Sequence, residues 1–155
     1  MRMKRITSIA VAAAGLVATA LATAPSASAA PNSANSTACS DPGFVCIYYH
    51  SQEYAVTHTA SNGRADYGAE FETAANISNY GSGWQFYAGY YGGEGAGLSV
   101  KNNAAFVDNW NETQTYRVYY NSGYSCSVAC QDFGPGRFGD LNAKMQNNNA
   151  SGKFL

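Results

Sequence analysis

From Cys39 onward, the apolar positions do not recur at the three-and-four spacing of a helix, and no run of them is long enough to span a bilayer. Short apolar-aromatic stretches instead alternate with Gly, Asn and Ser, the pattern of many short antiparallel strands. The stretches 45–49, 84–88, 98–101, 116–120 and 138–141 are the predicted strands. Asn62-Gly63, Gly92-Gly93, Ser122-Gly123 and Gly134-Pro135-Gly136 mark turns between them. Residues 65–75 have room for one helical turn and carry no assignment.

A degenerate repeat runs through the same region. An aromatic is followed five residues later by a second one three times: Tyr49 with Tyr54, Phe86 with Tyr91, and Tyr119 with Tyr124. The middle copy continues to Gly93. Such a unit suits a strand folding over into a tight hairpin, because the rings brace the corner and the glycine takes a backbone conformation that other residues resist. Asparagine-rich segments punctuate the units: 76–80, 102–110, whose tail aligns with the first, and 147–151. Asn and Ser side chains satisfy backbone groups in irregular turns, so structural turn chemistry is the first reading of these segments.

The N-terminus changes the picture of where the protein works. Three cations (Arg2, Lys4, Arg5) precede an uncharged run from Ile6 to Ala24, then Pro25 and small residues up to Ala30. That order is a signal peptide, 1–29, cleaved after Ala29, with Ala30 as a near alternative; the competing reading is a membrane anchor. A flexible leader, 30–38, precedes one domain, 39–155, in a mature chain of about 126 residues. Cleavage removes three of nine bases and none of ten acids, so the formal balance moves from −1 to −4. No basic cluster remains to neutralise phosphates, which argues against nucleic acid or a membrane surface as partner.

All four cysteines, Cys39, Cys46, Cys126 and Cys130, fall in the exported part, an even number bound for an oxidising compartment. Two disulfides are expected, and three connectivities are open. Local pairing, Cys39 with Cys46 and Cys126 with Cys130, is preferred because each pair brackets a short turn-like segment. A zinc site would want a two-residue gap that neither pair has.

A search for catalytic chemistry finds little. There is no Gly-x-Ser-x-Gly elbow, no His-Glu-x-x-His helix and no phosphate-cradling loop. Gly93, Gly95 and Gly97 imitate a nucleotide fingerprint, but no helix or later acid completes it, and a hairpin is the expectation. His50 and His58 lie near Glu53 and Asp66, as a general base would, yet no nucleophile accompanies them and the pair reads as two surface histidines. Tyr87, Tyr90, Tyr91, Tyr119, Tyr120 and Tyr124 exceed what alternate burial would hide. A surface row of tyrosines would stack on sugar rings or dock a protein.

Taken together, the aromatic-x4-aromatic-x-Gly unit and the Asn-Asn-x-x-Ser segments resemble the Greek-key motif of βγ-crystallins. The stretch Val100-Lys101-Asn102-Asn103-Ala104-Ala105, with the cysteine pairs and the export signal, is similar to the actinobacterial peptidase-inhibitor family typified by the streptomycete metalloproteinase inhibitor. The resemblance spans nearly all of the mature chain. It implies an all-β, βγ-crystallin-like sandwich of two Greek keys with two disulfides, secreted and not an enzyme. It further implies that a loop closed by a short disulfide, here Cys126, Ser127, Val128, Ala129 and Cys130, meets an extracellular protease, a metalloprotease by class. By that analogy Cys126 and Ser127 flank the reactive bond and Val128 fills an adjacent pocket. The crystallin side of the resemblance implies calcium as an optional ligand, through Asn102 and Asn103, or Asn148 and Asn149 with Ser151. Val56 and Cys126 stand where the crystallin pattern has glycine, and Phe106 where it has serine, which removes one calcium donor. Some microbial crystallin-like proteins act against fungi at the cell wall, so cell-wall glycan is the alternative partner.

Overall fold

A computed structural model describes residues 38–155. The expected signal peptide, 1–29, and the expected leader up to Thr37 lie outside the described residues, and Ala38 opens a single 3-10 turn, Ala38–Ser40. Seven strands follow: β1 Val45–Tyr48, β2 Glu70–Thr73, β3 Phe106–Asn109, β4 Tyr116–Tyr119, β5 Cys130–Phe133, β6 Phe138–Asp140 and β7 Ser151–Phe154. One helical turn, α1 Gln52–Ala55, is the only α-helix among the described residues, and Ser51 caps it by accepting from the Tyr54 amide at 3.2 Å. The fold is all-β, with two antiparallel sheets ordered β2-β1-β3-β6 and β5-β4-β7, and two disulfides.

β1 is buried at all four positions because it is a central strand covered on both faces. Val45 and Ile47 point into the core between the sheets, where Phe71, Tyr116, Val118 and Phe133 meet them. Cys46 and Tyr48 point the other way, into a smaller cluster with Cys39 and Phe106 under the half-buried rings of Tyr67 and Tyr91. Each such side chain, fully withdrawn from water, contributes roughly 1.5–3 kcal/mol. At the centre of the main core the hydroxyls of Tyr80 and Tyr116 share a hydrogen bond of 2.6 Å, which lets two polar groups be buried without an orphan. Burial raises both phenols well above their ordinary range.

Three backbone hydrogen bonds of the first half recur at equivalent positions in the second. Ala105 donates to the Tyr48 carbonyl and Ala150 to that of Tyr119; Leu141 donates to Ala105 and Tyr80 to Ala150; Asn102 donates to Asn149 and Asn147 to Ala104, all between 2.8 and 2.9 Å. Asn102 and Asn147 both adopt positive φ, 63° and 55°. In each half the strand entering last, β3 or β7, lies beside the first, β1 or β4. Each half also lends a segment to the other's sheet: β6 pairs with β3, and Ile77 bridges to Gly152 of β7.

Three of the predicted strands, 45–49, 116–120 and 138–141, coincide with β1, β4 and β6. The other two are corrected: 84–88 and 98–101 pair as an irregular ribbon around a single Gln85–Ser99 bridge, with Phe86 donating to Leu98 and Val100 to Trp84. The intervening glycines, several at positive φ, prevent a regular ladder. β2 occupies the unassigned 65–75 stretch, and the helical turn sits earlier, at α1. The repeat too is corrected. Tyr119 and Tyr124 do brace a corner, with rings 5.8 Å apart, but Tyr54 stacks between His50 and His58, and Phe86 belongs to the ribbon, which has no counterpart in the second half.

On the outer face of the second sheet, Arg117 and Asp132 are register partners, and the Arg117 guanidinium grips both carboxylate oxygens, which holds Asp132 below the usual carboxylate range. The pair is largely solvated. Its contribution is present at neutral pH and lost as acid titrates Asp132. Arg117→Ala is therefore expected to lower stability at pH 7 by no more than about 1 kcal/mol in a urea titration, with the difference vanishing at low pH.

Candidate functional site

β4 leaves the core and β5 returns, with Tyr119 opposite Cys130, so residues 120–129 form the connection between two paired strands. Tyr120 extends the ladder by donating to the Ala129 carbonyl at 3.1 Å. The Cys126–Cys130 disulfide, Cα atoms 5.1 Å apart, then closes a ring around Ser127, Val128 and Ala129. The other disulfide joins Cys39 to Cys46, so the preferred local pairing is the one found.

The ring is fastened at its base and open at its tip. Gly123 donates to the Ser78 carbonyl at 2.7 Å, and the Tyr124 amide donates to the Ser151 hydroxyl, which itself donates to the Asn121 carbonyl at 2.7 Å. Tyr124 holds φ at 62°, a conformation that these bonds and its ring contact with Tyr119 fix in place. Asn121 reaches the Ser127 hydroxyl at 3.0 Å, and Ser125 accepts from the Ser127 amide at 3.3 Å. Cys126, Ser127 and Val128 face solvent, and Val128 is 45% exposed. An apolar side chain is thus displayed on a backbone that has already lost its freedom.

The asparagines implied as calcium ligands lie on the two equivalent loops, which face each other across the domain's internal symmetry. Most of their polar atoms have structural partners. Asn149 is buried, accepting from Ala104 and donating to Val100; Asn103 donates to Ser99 and Lys101, and Asn148 to Gln146; Ser151 ties down the 121–124 turn. Neither loop carries a carboxylate, and no group of three or more His, Cys, Asp or Glu is placed to hold a metal among the described residues. The turn-chemistry reading of these asparagines accounts for these bonds.

His50 pairs with Glu94 at 3.3 Å rather than with Glu53 or Asp66, and its ring stacks on Tyr54, which stacks in turn on His58, with centroids 3.7 Å apart in both contacts. His50, Tyr54 and Glu94 line a cavity of about 240 Å³ with Ser51, whose hydroxyl is engaged as the helix cap. Glu94 was not legible as the partner, because it lies 44 residues away in sequence. Gly95 and Gly97 belong to the ribbon's turns and open no helix.

Of the six tyrosines expected at the surface, Tyr119 is buried, Tyr90 is 52% exposed and the other four are partly buried. Two further aromatics are exposed, Phe138 at 62% and Trp110 at 39%, flanking Asp108 on the outer face of the first sheet. Burial raises the Asp108 carboxyl to about 6 against the opposing pull of the Trp110 indole.

Comparison adds no relative. No family model, no curated protein and no solved structure matches this chain. The two disulfides are consistent with an extracellular protein, and no helix among the described residues is long and apolar enough to cross a membrane.

Proposed function

We propose that the chain is a secreted protein inhibitor of an extracellular peptidase, a metalloprotease by class, which presents the Cys126–Cys130 ring to its target. The observation that carries this reading is a short disulfide-closed loop, exposed at Val128 and tied at its base by hydrogen bonds with Asn121, Ser125 and Ser151. A protease binds extended peptide, and a loop already held in one conformation loses little entropy on binding. Were a bond inside the ring cut, the disulfide would keep both ends in the cleft, so the product would neither leave nor relax. The protein acts by binding, with no reaction of its own.

The scaffold in this reading is a βγ-crystallin-like sandwich of two Greek keys. Its support is the strand order, in which each last strand returns beside the first and each half lends a segment to the other's sheet. That arrangement mounts the loop between β4, the central strand of the second sheet, and β5 at its edge.

Titration of the mature protein against thermolysin and subtilisin tests the function. Stoichiometric loss of thermolysin activity is expected, and replacing both Cys126 and Cys130 by serine should weaken inhibition by roughly a hundredfold or more while the far-ultraviolet circular dichroism is retained. Undiminished potency in the double variant would move the site elsewhere, and no inhibition of any protease class would end the reading. A second reading rests on Phe138 and Trp110, whose exposed rings beside Asp108 suit stacking on sugar. It expects retention on chitin or cell-wall material instead, lost in Trp110→Ala.

A further inference from the structure

Glu70 is fully buried on the outer face of the first sheet, at 0% exposure, and neither oxygen of its carboxyl reaches a hydrogen-bond partner. A buried carboxylate without partners is strongly disfavoured. Its surroundings offer no counter-charge. Tyr48 of β1 is its register partner, Glu72 of β2 adds a like charge, and Asp108 of β3 lies on the far side of Tyr48. From the ribbon come Tyr87, whose backbone exchanges two 2.9 Å bonds with that of Glu70, and Tyr91. The Tyr90 amide lies close enough to favour the charged form without completing a hydrogen bond to either oxygen. Arg64, a cation beside the ribbon, is exposed and stacked on the Tyr90 ring.

The carboxyl is sealed in by a tight turn. A side chain at Gly89 would overlap the Glu70 carboxyl, and one at Gly92, where φ is 136°, would overlap Asp66 Oδ1, so both glycines permit a close approach that no other residue would. The turn is held by the Tyr91 ring, edge-on to Tyr48 and Tyr67, and by two hydrogen bonds. Gly89 donates to the Gly92 carbonyl at 3.0 Å, and Asn62 donates to that of Tyr90 at 2.5 Å. The other walls around Glu70 are strands of a continuous ladder, which is far harder to displace.

We propose that Glu70 is a proton-operated latch: with the carboxyl protonated the 89–92 turn closes over the first sheet, and with it ionised the turn lifts to admit water. Burial pushes the Glu70 carboxyl up to about 7, which places the change near neutral pH. The sign follows from linkage. The raised value in the folded state means that the stability of the closed form is complete below the ordinary glutamate range and is lost as pH rises through about 7. Lifting the turn would open the adjoining cavity of about 370 Å³, lined by Asn62, Asp66, Ala88 and Tyr90.

Amide hydrogen exchange on the mature protein at pH 5.5 and 8.5, corrected for intrinsic rates, tests the latch. Protection of the Gly89 amide should fall by roughly tenfold or more at the higher pH while β4 amides stay unchanged, and in Glu70→Gln it should be the same at both values. Uniform loss across both sheets, or a pH response that persists in Glu70→Gln, would overturn the proposal. Should that variant not fold, a carbon-13 titration of the wild-type Glu70 carboxyl decides: a midpoint near 7 upholds the latch, and one near 4 refutes it.

Discussion

Replacing Gly152 by alanine should destabilise the domain by about 3 kcal/mol or more, enough to leave a small domain close to unfolded at 37 °C. Gly152 lies in β7, buried, and a methyl group there would overlap the hydroxyls of both Tyr80 and Tyr116 and come within 2.7 Å of Tyr116 Cζ. Those hydroxyls are bonded to each other at the centre of the core and have no solvent to retreat into. The same backbone exchanges two hydrogen bonds with Ile77, at 2.8 and 3.0 Å, so a shift of β7 to relieve the overlap would also pull apart the bridge between the halves. Urea denaturation measures the loss. Trimming the obstruction, in Gly152→Ala with Tyr80→Phe, should restore part of it, because only one hydroxyl then remains in the way.

Asn109→Ala should be nearly as damaging, at roughly 2–4 kcal/mol, with an unchanged slope in the denaturation curve. Asn109 is fully buried at the end of β3. Its Nδ2 lies between 2.9 and 3.1 Å from the carbonyls of Gln114, Phe133 and Gly134, and its Oδ1 accepts from the Asn111 amide. One side chain therefore satisfies backbone groups of the β3–β4 connection and of the end of β5. Alanine removes all four bonds at a buried position and leaves the Gly134 carbonyl only its bond from the Arg137 amide, and Asp at the same position should be no better, since it lacks the two amide protons. A wild-type midpoint in Asn109→Ala would show that water takes over the role.

The strands most legible in the sequence are those whose residues agree with their surroundings. The run Val45-Cys46-Ile47-Tyr48 is apolar throughout because it is covered on both faces, and Tyr116-Arg117-Val118-Tyr119 shows its solvent side in Arg117. β2 reads Glu-Phe-Glu-Thr and buries Glu70, so an acid stands where a pattern of apolar positions has nothing to detect. β7 reads Ser-Gly-Lys-Phe and is defined by what Gly152 lacks rather than by what it packs. Both disulfides were anticipated by their spacing, and the asparagine loops by their turn chemistry. The fastening of the candidate loop was not legible, because Ser78 and Ser151 reach it from distant parts of the chain, and only the folded state brings them there.

The exchange of segments between the sheets has a consequence for how the chain reaches its native state. The first sheet lacks its edge until β6 arrives from the second half, and β7 gains its outer neighbour only from residue 77 of the first. Neither half is a complete layer by itself, so neither can serve as a stable folding unit that templates the other. Assembly must wait for distant stretches to meet, which predicts slow, all-or-none folding and leaves the chain most vulnerable to proteolysis before its last strand has docked.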